Sequence, residues 1–245
     1  LIAPSTLISL GRVSGGDSIQ GDGNGLHIGA LTRLRAAERS AAVREFCPAL
    51  ARTFAAVGNV RIRNQATVGG NLAEADYASD PPAMLLALNA RARTVSPAGE
   101  REIPLAEFFL GFYTTALAPD EIVTEVIVPP LAETARATYL KFASRSAEDR
   151  PCVGVAAVAD VDESGRCRDL RVAVGAAVET PQRLAKAEAM AKGNKITDEL
   201  IAAVADEYSR SLDALSDARG SAWYRREMIG VFVRRALTEV RDGNR

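Results

Sequence analysis

The stretch RIRNQATVGGNLAEADYASDPP, residues 61–82, decides the fold. At its centre stand Thr67, Val68, Gly69, Gly70 and Asn71. Two adjacent glycines open backbone conformations closed to other residues and let another group approach the main chain. Consecutive bare N–H groups in such a bend form a concave nest suited to an anionic oxygen. Thr67 adds a hydroxyl donor and Asn71 an amide. No lysine follows, so the segment is not a Walker-type loop, and the GxGxxG of a Rossmann turn is absent. The same residue types also make an ordinary turn. Just downstream, Asp80-Pro81-Pro82 has the form of a helix start, with an acidic N-cap and proline at the first helical position.

Taken whole, IRNQATVGGNLAEADYASDPPAMLLAL (62–88) resembles the second flavin-binding motif in the medium subunits of the xanthine dehydrogenase and carbon monoxide dehydrogenase family. There the pattern is close to I-R-N-x-A-T-I-G-G-N, then an alanine-rich link to S-D-x-P and an apolar helix. Near the other end, TPQRLAKAE (180–188) and SAWYRREMIGVFVRRAL (221–237) resemble the C-terminal domain of the same subunits. The resemblance implies an α+β fold. Residues 1–131 would form a FAD-binding domain of the p-cresol methylhydroxylase (PCMH) and MurB type, two α/β lobes with the dinucleotide between them. Residues 132–245 would form a C-terminal domain of a three-stranded antiparallel sheet with helices.

It also implies site residues. Thr67 to Asn71 would contact the diphosphate, Asp80 the flavin nucleotide, Val123 the flavin at a strand's start, and Lys141 of YLKFASR the ring. A cation there would favour negative charge on the reduced ring. From the residues alone, Asp80 is also a helix cap, Val123 a core β-branched residue, and Lys141 a strand's solvent face. The first flavin-binding loop of these subunits, A-G-G-[TQ]-[SD], has no counterpart here, and a leading piece of about 40–50 residues is expected before Leu1. Residues 1–13 read as the strand following that loop. Ser14-Gly15-Gly16-Asp17-Ser18 reads as a turn that mimics it.

Composition narrows the function. The 245 residues are 47% hydrophobic, and 30 Lys+Arg face 31 Asp+Glu, which gives no basis for a nucleic-acid partner. No apolar run approaches membrane-spanning length, and no signal peptide is visible. Cys47, Cys152 and Cys167 form no CxxC pair, so an iron–sulfur or zinc site made by this chain alone is not expected, and a reducing, cytoplasmic setting fits. His27 is the one histidine, set in an alternating strand pattern, which leaves little from which to build a hydrolase. Neither catalytic residues nor metal ligands are assigned; the chemistry would belong to a bound cofactor, FAD.

The resemblance then implies partners. A large subunit would hold a molybdenum pterin and a small one two [2Fe–2S] clusters, as a dimer of heterotrimers. Electrons would reach NAD⁺, oxygen, a quinone or another acceptor by way of FAD. Two other classes stay open: a stand-alone PCMH/MurB-type flavoenzyme, and a truncated scaffold subunit without catalysis.

The remaining elements follow from pattern. Gly21 to Gly25 reads as a hairpin turn, Thr32 as the cap of a short helix through about Arg39, and Ala49 to Val57 as a second helix. Arg61 and Arg63 alternate with Val60 and Ile62, either as a strand's polar face or as phosphate ligands. Strands are expected in 91–96, 101–103 and 120–130, and a short helix over 104–110. Pro129-Pro130 marks a boundary. Three strands follow, in 137–145, 152–161 and 167–178. Helices are expected to open at Thr180, Thr197 and Ser221, the last with an apolar stripe from Ile229 to Val240.

Overall fold

The structure, a computed structural model, describes residues 5–243. The first part of the chain runs β1 (Ile19–Asp22), β2 (Gly25–Gly29), α1 (Leu34–Arg39), α2 (Ala41–Phe46), α3 (Pro48–Ala55), α4 (Val60–Arg63), α5 (Val68–Glu74), α6 (Pro81–Ala87), β3 (Arg91–Ser96), β4 (Gly99–Pro104), α7 (Leu105–Phe108), β5 (Phe109–Gly111), β6 (Thr114–Thr115) and β7 (Ile122–Val128). Strands β1, β2, β7, β3 and β4 pair in that order into an antiparallel sheet. The second part runs β8 (Ala135–Phe142), β9 (Val153–Val161), β10 (Cys167–Gly175), β11 (Gln182–Arg183), α8 (Ala185–Ala189), α9 (Asp198–Ser211) and α10 (Ala222–Asp242). Its antiparallel sheet has the order β11-β10-β9-β8.

The second sheet is covered on both faces, which explains why β9 reads as an unbroken apolar run. Along β9, Val153, Val155, Ala157 and Ala159 point into a core completed by α9 and α10. The alternate residues Ala156 and Val158 point the other way, into a core shared with α3 and α6. Helix α6 is therefore buried at every position from Pro81 to Ala87. Each large side chain buried this way contributes about 1.5–3 kcal/mol relative to exposure. Gly175 makes the packing possible: a Cβ there would stand 3.2 Å from Ala83 Cβ.

Caps account for the starts of the two long helices in the second part. Thr197 accepts from Leu200 N at the head of α9, and Ser221 from Tyr224 N at the head of α10. The β9–β10 hairpin turns on Asp162, whose carboxylate accepts from the Ser164 and Arg166 N–H groups, with Gly165 at φ +81°.

Several expectations are corrected. Residues 5–13 carry no strand; Leu7 and Ile8 are 86% and 84% exposed, and no neighbouring strand takes up the backbone there. The first four residues of that expected strand lie outside the described residues. Val60–Arg63 is a helix, not a strand, because the Asn59 side chain accepts from the Arg61 and Ile62 N–H groups. Thr32 caps nothing; α1 begins after Arg33, and the Thr32 hydroxyl donates to Ser18 O. Helix α2, capped by Ser40, was not expected. The second sheet has a fourth strand, β11, where a helix was expected to open after Thr180.

Candidate functional site

The glycine pair does not form an open nest. Thr67 is the N-cap of α5, and its Oγ1 accepts from Gly70 N at 3.1 Å. Val68 N donates to Thr32 O at 2.9 Å, Gly69 N to Ala30 O at 2.8 Å, and Asn71 N to Thr67 O at 2.9 Å. The expected row of bare donors is thus already spent on the protein's own acceptors. The two glycines also differ. A Cβ on Gly69 would lie 2.5 Å from Ala30 Cβ and 2.9 Å from the Ala30 backbone. Gly69 is buried, and its missing side chain lets α5 sit on the chain just after β2. Gly70 is exposed, and a Cβ there would meet only Thr67 Oγ1, at 2.8 Å.

Asp80 begins α6 but makes no capping bond. Its carboxylate is buried and turned to β8. Oδ1 accepts from the Tyr139 hydroxyl at 2.7 Å, and Oδ2 from Lys141 Nζ at 3.1 Å. Lys141 Nζ donates again, at 2.7 Å, to Ala56 O at the end of α3. Tyr139 and Lys141 are two residues apart on one strand and share a face. Burial pushes the Asp80 carboxyl up to about 6, against the pull of the Lys141 ammonium and the Tyr139 hydrogen bond. Burial, reinforced by the Asp80 charge, also raises the Tyr139 phenol well above its ordinary value.

A second pair links these two groups. The Asn71 amide donates to Ser79 Oγ at 2.8 Å, and the Ser79 hydroxyl donates back to Asn71 Oδ1 at 3.0 Å. Helix α5 is thereby tied to the residue before Asp80. Val123 is joined less directly. It sits on β7 opposite Thr94, half-buried against the first core, one residue before Thr124, whose carbonyl accepts from Ala30 N. Of the two arginines considered as phosphate ligands, Arg63 is committed to Glu38, Val57 O and Gly58 O. Arg61 is exposed on α4. His27 lies on β2 with Nδ1 3.3 Å from Glu125, a half-buried strand position.

Residues that sequence reasoning did not name hold this region together. Tyr77 lies in the α5–α6 link, and its hydroxyl donates to Asp217 Oδ2 at 2.8 Å. Asp217 also accepts from Arg219 at 2.9 Å and from the fully buried Arg225 at 2.7 Å. These bonds pin the link to the head of α10. Tyr139 could have been found from its spacing to Lys141. No local signal reveals Ser79, Ala30 or Asp217 as partners.

The arrangement fits an anionic dinucleotide, though by different atoms than the bare nest would supply. The Thr67 hydroxyl accepts from Gly70 and has no acceptor of its own among the described residues, so it is free to donate. Gly70 is exposed and carries no side chain of its own, and the one group against its main chain is the Thr67 hydroxyl. An ammonium has three donors, and Lys141 spends two, leaving one.

A family model described as the FAD binding domain in molybdopterin dehydrogenase matches residues 1–131, and one described as the CO dehydrogenase flavoprotein C-terminal domain matches residues 138–240. Subunit alpha of the 6-hydroxypseudooxynicotine dehydrogenase complex of Paenarthrobacter nicotinovorans is 34% identical over 236 residues, covering 96% of this chain and 79% of that one. The glyceraldehyde dehydrogenase medium chain of Sulfolobus acidocaldarius is 32% identical over 240 residues, covering 98% and 84%. Among solved structures, the quinoline 2-oxidoreductase of Pseudomonas putida 86 contains a chain with TM-score 0.91 and 28% identity, covering 99% of this chain and 84% of that one. The chain belongs to the FAD-binding medium subunits of the molybdenum hydroxylase family, and it is an oxidoreductase component. Among the described residues, no helix is long and apolar enough to cross a membrane.

Proposed function

We propose that this chain holds FAD as the electron-transfer subunit of a cytoplasmic molybdenum hydroxylase, receiving electrons from [2Fe–2S] clusters on a small partner subunit. The molybdenum pterin and the organic substrate would sit on a large partner, and the assembly would be a dimer of heterotrimers. Electrons would leave towards NAD⁺, oxygen, a quinone or another carrier. The single observation that carries this reading is the FAD-binding domain family match over residues 1–131. The P. nicotinovorans relative, named as a subunit of a dehydrogenase complex, supports a division of labour between chains. A carbon monoxide dehydrogenase of Hydrogenophaga pseudoflava, solved in a form that lacks the Mo-pyranopterin moiety of its molybdenum cofactor, supports a partner that carries such a cofactor.

In this reading residues 1–131 bind the dinucleotide and 132–245 complete the ring site. The flavin supplies the redox chemistry, accepting and releasing electrons singly or in pairs. This chain's residues bind and orient it. The Thr67 hydroxyl donates to the diphosphate, beside exposed Gly70 and the amide of Asn71. Val68 and Gly69 hold that helix head in place through Thr32 and Ala30. Lys141 directs its remaining N–H at the ring, where its charge favours electron uptake. Asp80 balances Lys141 from beneath, and Val123 gives the ring an apolar contact.

Affinity purification of the tagged protein from its own cell, with mass spectrometry and metal analysis, tests the assignment. Co-purification of a molybdenum-bearing large chain and an iron–sulfur small chain is the expected result. A protein that purifies alone and oxidises a substrate unaided would favour the stand-alone flavoenzyme instead.

A further inference from the structure

We propose that Tyr139 is a positioning residue for the flavin: by holding Asp80 from the side opposite Lys141, it sets the charge that the Asp80–Lys141 pair presents to the ring. This rests on the reading of Lys141 as the ring's cationic neighbour. Three features of the structure carry it. The Tyr139 hydroxyl donates to Asp80 Oδ1 at 2.7 Å, while Lys141 takes Oδ2 at 3.1 Å, so the two oxygens have separate donors. The phenol reaches Asp80 by lying over Gly154 of β9, where a Cβ would stand 2.5 Å from Tyr139 Oη and 3.2 Å from its Cζ. Finally, the carboxylate is only 4% exposed at its side chain, so water does not replace a lost donor easily.

The consequence is electrostatic. With Asp80 ionised, the pair carries no net charge. With Asp80 protonated, Lys141 stands alone and its positive charge favours electrons on the ring. A phenol that donates to the carboxylate stabilises the ionised form. The other charged groups near Asp80 are Asp76, which opposes its ionisation, and Arg150, which pairs with Asp76 at 2.8 Å. Neither bonds to Asp80, so Tyr139 and Lys141 alone meet its oxygens among the described residues.

The test is the flavin midpoint potential as a function of pH, measured on the FAD-loaded full-length protein and on three variants: Tyr139→Phe, Gly154→Ala and Asp80→Asn. In the wild type, the potential carries an added rise as pH falls through the Asp80 titration. Losing the phenol donor moves that inflection upward by about one pH unit in Tyr139→Phe, with FAD content unchanged. Gly154→Ala displaces the phenol by a different route and shifts the inflection in the same direction. Asp80→Asn removes the inflection. Curves for Tyr139→Phe and wild type that coincide, with FAD bound in both, would overturn the proposal alone. A wild-type protein that holds no FAD would overturn the proposed function along with it.

Discussion

Gly69 and Gly70 are adjacent, yet an alanine at each has opposite consequences. In Gly69→Ala the new Cβ stands 2.5 Å from Ala30 Cβ and 2.9 Å from Ala30 Cα and O. Ordinary contact begins near 3.4 Å, and two of the three atoms are backbone, so α5 or the chain after β2 must move. That movement strains the Gly69 N–Ala30 O hydrogen bond. Overpacking of this kind costs about 1–3 kcal/mol, and backbone contact puts the cost at the upper end. Replacing a helical glycine by alanine returns up to about 1 kcal/mol of propensity. The net loss is about 2 kcal/mol, which for a chain of this size lowers the melting temperature by roughly 4–8 °C. In Gly70→Ala the only obstruction is Thr67 Oγ1, the end of a side chain that can rotate. Losing that cap costs about 1 kcal/mol, offset by the alanine gain, so stability stays within about 1 kcal/mol of wild type. The same methyl covers the main chain at which the diphosphate is proposed to lie. Thermal unfolding with FAD quantitation therefore separates the variants: Gly69→Ala melts early, whereas Gly70→Ala melts normally and carries less FAD. A Gly70→Ala protein with full FAD content, or a Gly69→Ala protein as stable as wild type, would refute this.

Three further outcomes follow from the same contacts. Asp80 is raised from 3.8 to about 6 in the fold, so its contribution to stability is greatest below pH 4 and is lost as pH rises through 6, about 3 kcal/mol in all; urea denaturation between pH 4 and 7.5 should show this fall in flavin-free wild type, and Asp80→Asn should lack it. Arg225→Met leaves Asp217 with Tyr77 and Arg219 only, and should cost about 3 kcal/mol by thermal unfolding, whereas Tyr77→Phe should cost under about 1.5 kcal/mol. Thr67→Ala removes both the α5 cap and the free hydroxyl, so FAD content should drop with a stability loss of about 1 kcal/mol, while Thr67→Ser should keep both.

Much of the architecture was readable because its causes are local. Asp80-Pro81-Pro82 ahead of an apolar run announces α6, and Thr197 and Ser221 announce α9 and α10. The β-branched run of β7 and the strands on either side of Pro97-Ala98 are likewise written in neighbouring residues. Reading failed where distant partners decide. Val-Arg-Ile-Arg alternates like a strand, but no strand lies beside it and Asn59 caps it as a helix. Thr67 to Asn71 has the composition of an open nest, yet the Val68 and Gly69 N–H groups are met by Thr32 and Ala30, from the chain just after β2, and those of Gly70 and Asn71 by Thr67. Asp80 has the position of a cap, but a buried carboxylate gains more from a phenol and an ammonium than from amides at its own helix end. The residues singled out around Asp80 and Lys141 do come together, through Tyr139, which its spacing to Lys141 marks, and through Ser79, which local pattern does not distinguish from an ordinary loop position.

The most direct measurement is the identity and amount of flavin released when the purified full-length protein is denatured. The expected result is FAD at one per chain, falling in Gly70→Ala and unchanged in Tyr139→Phe. A colourless wild-type protein, or one that releases FMN or riboflavin instead, would contradict the claim that this chain holds a flavin dinucleotide beside Thr67 and Gly70.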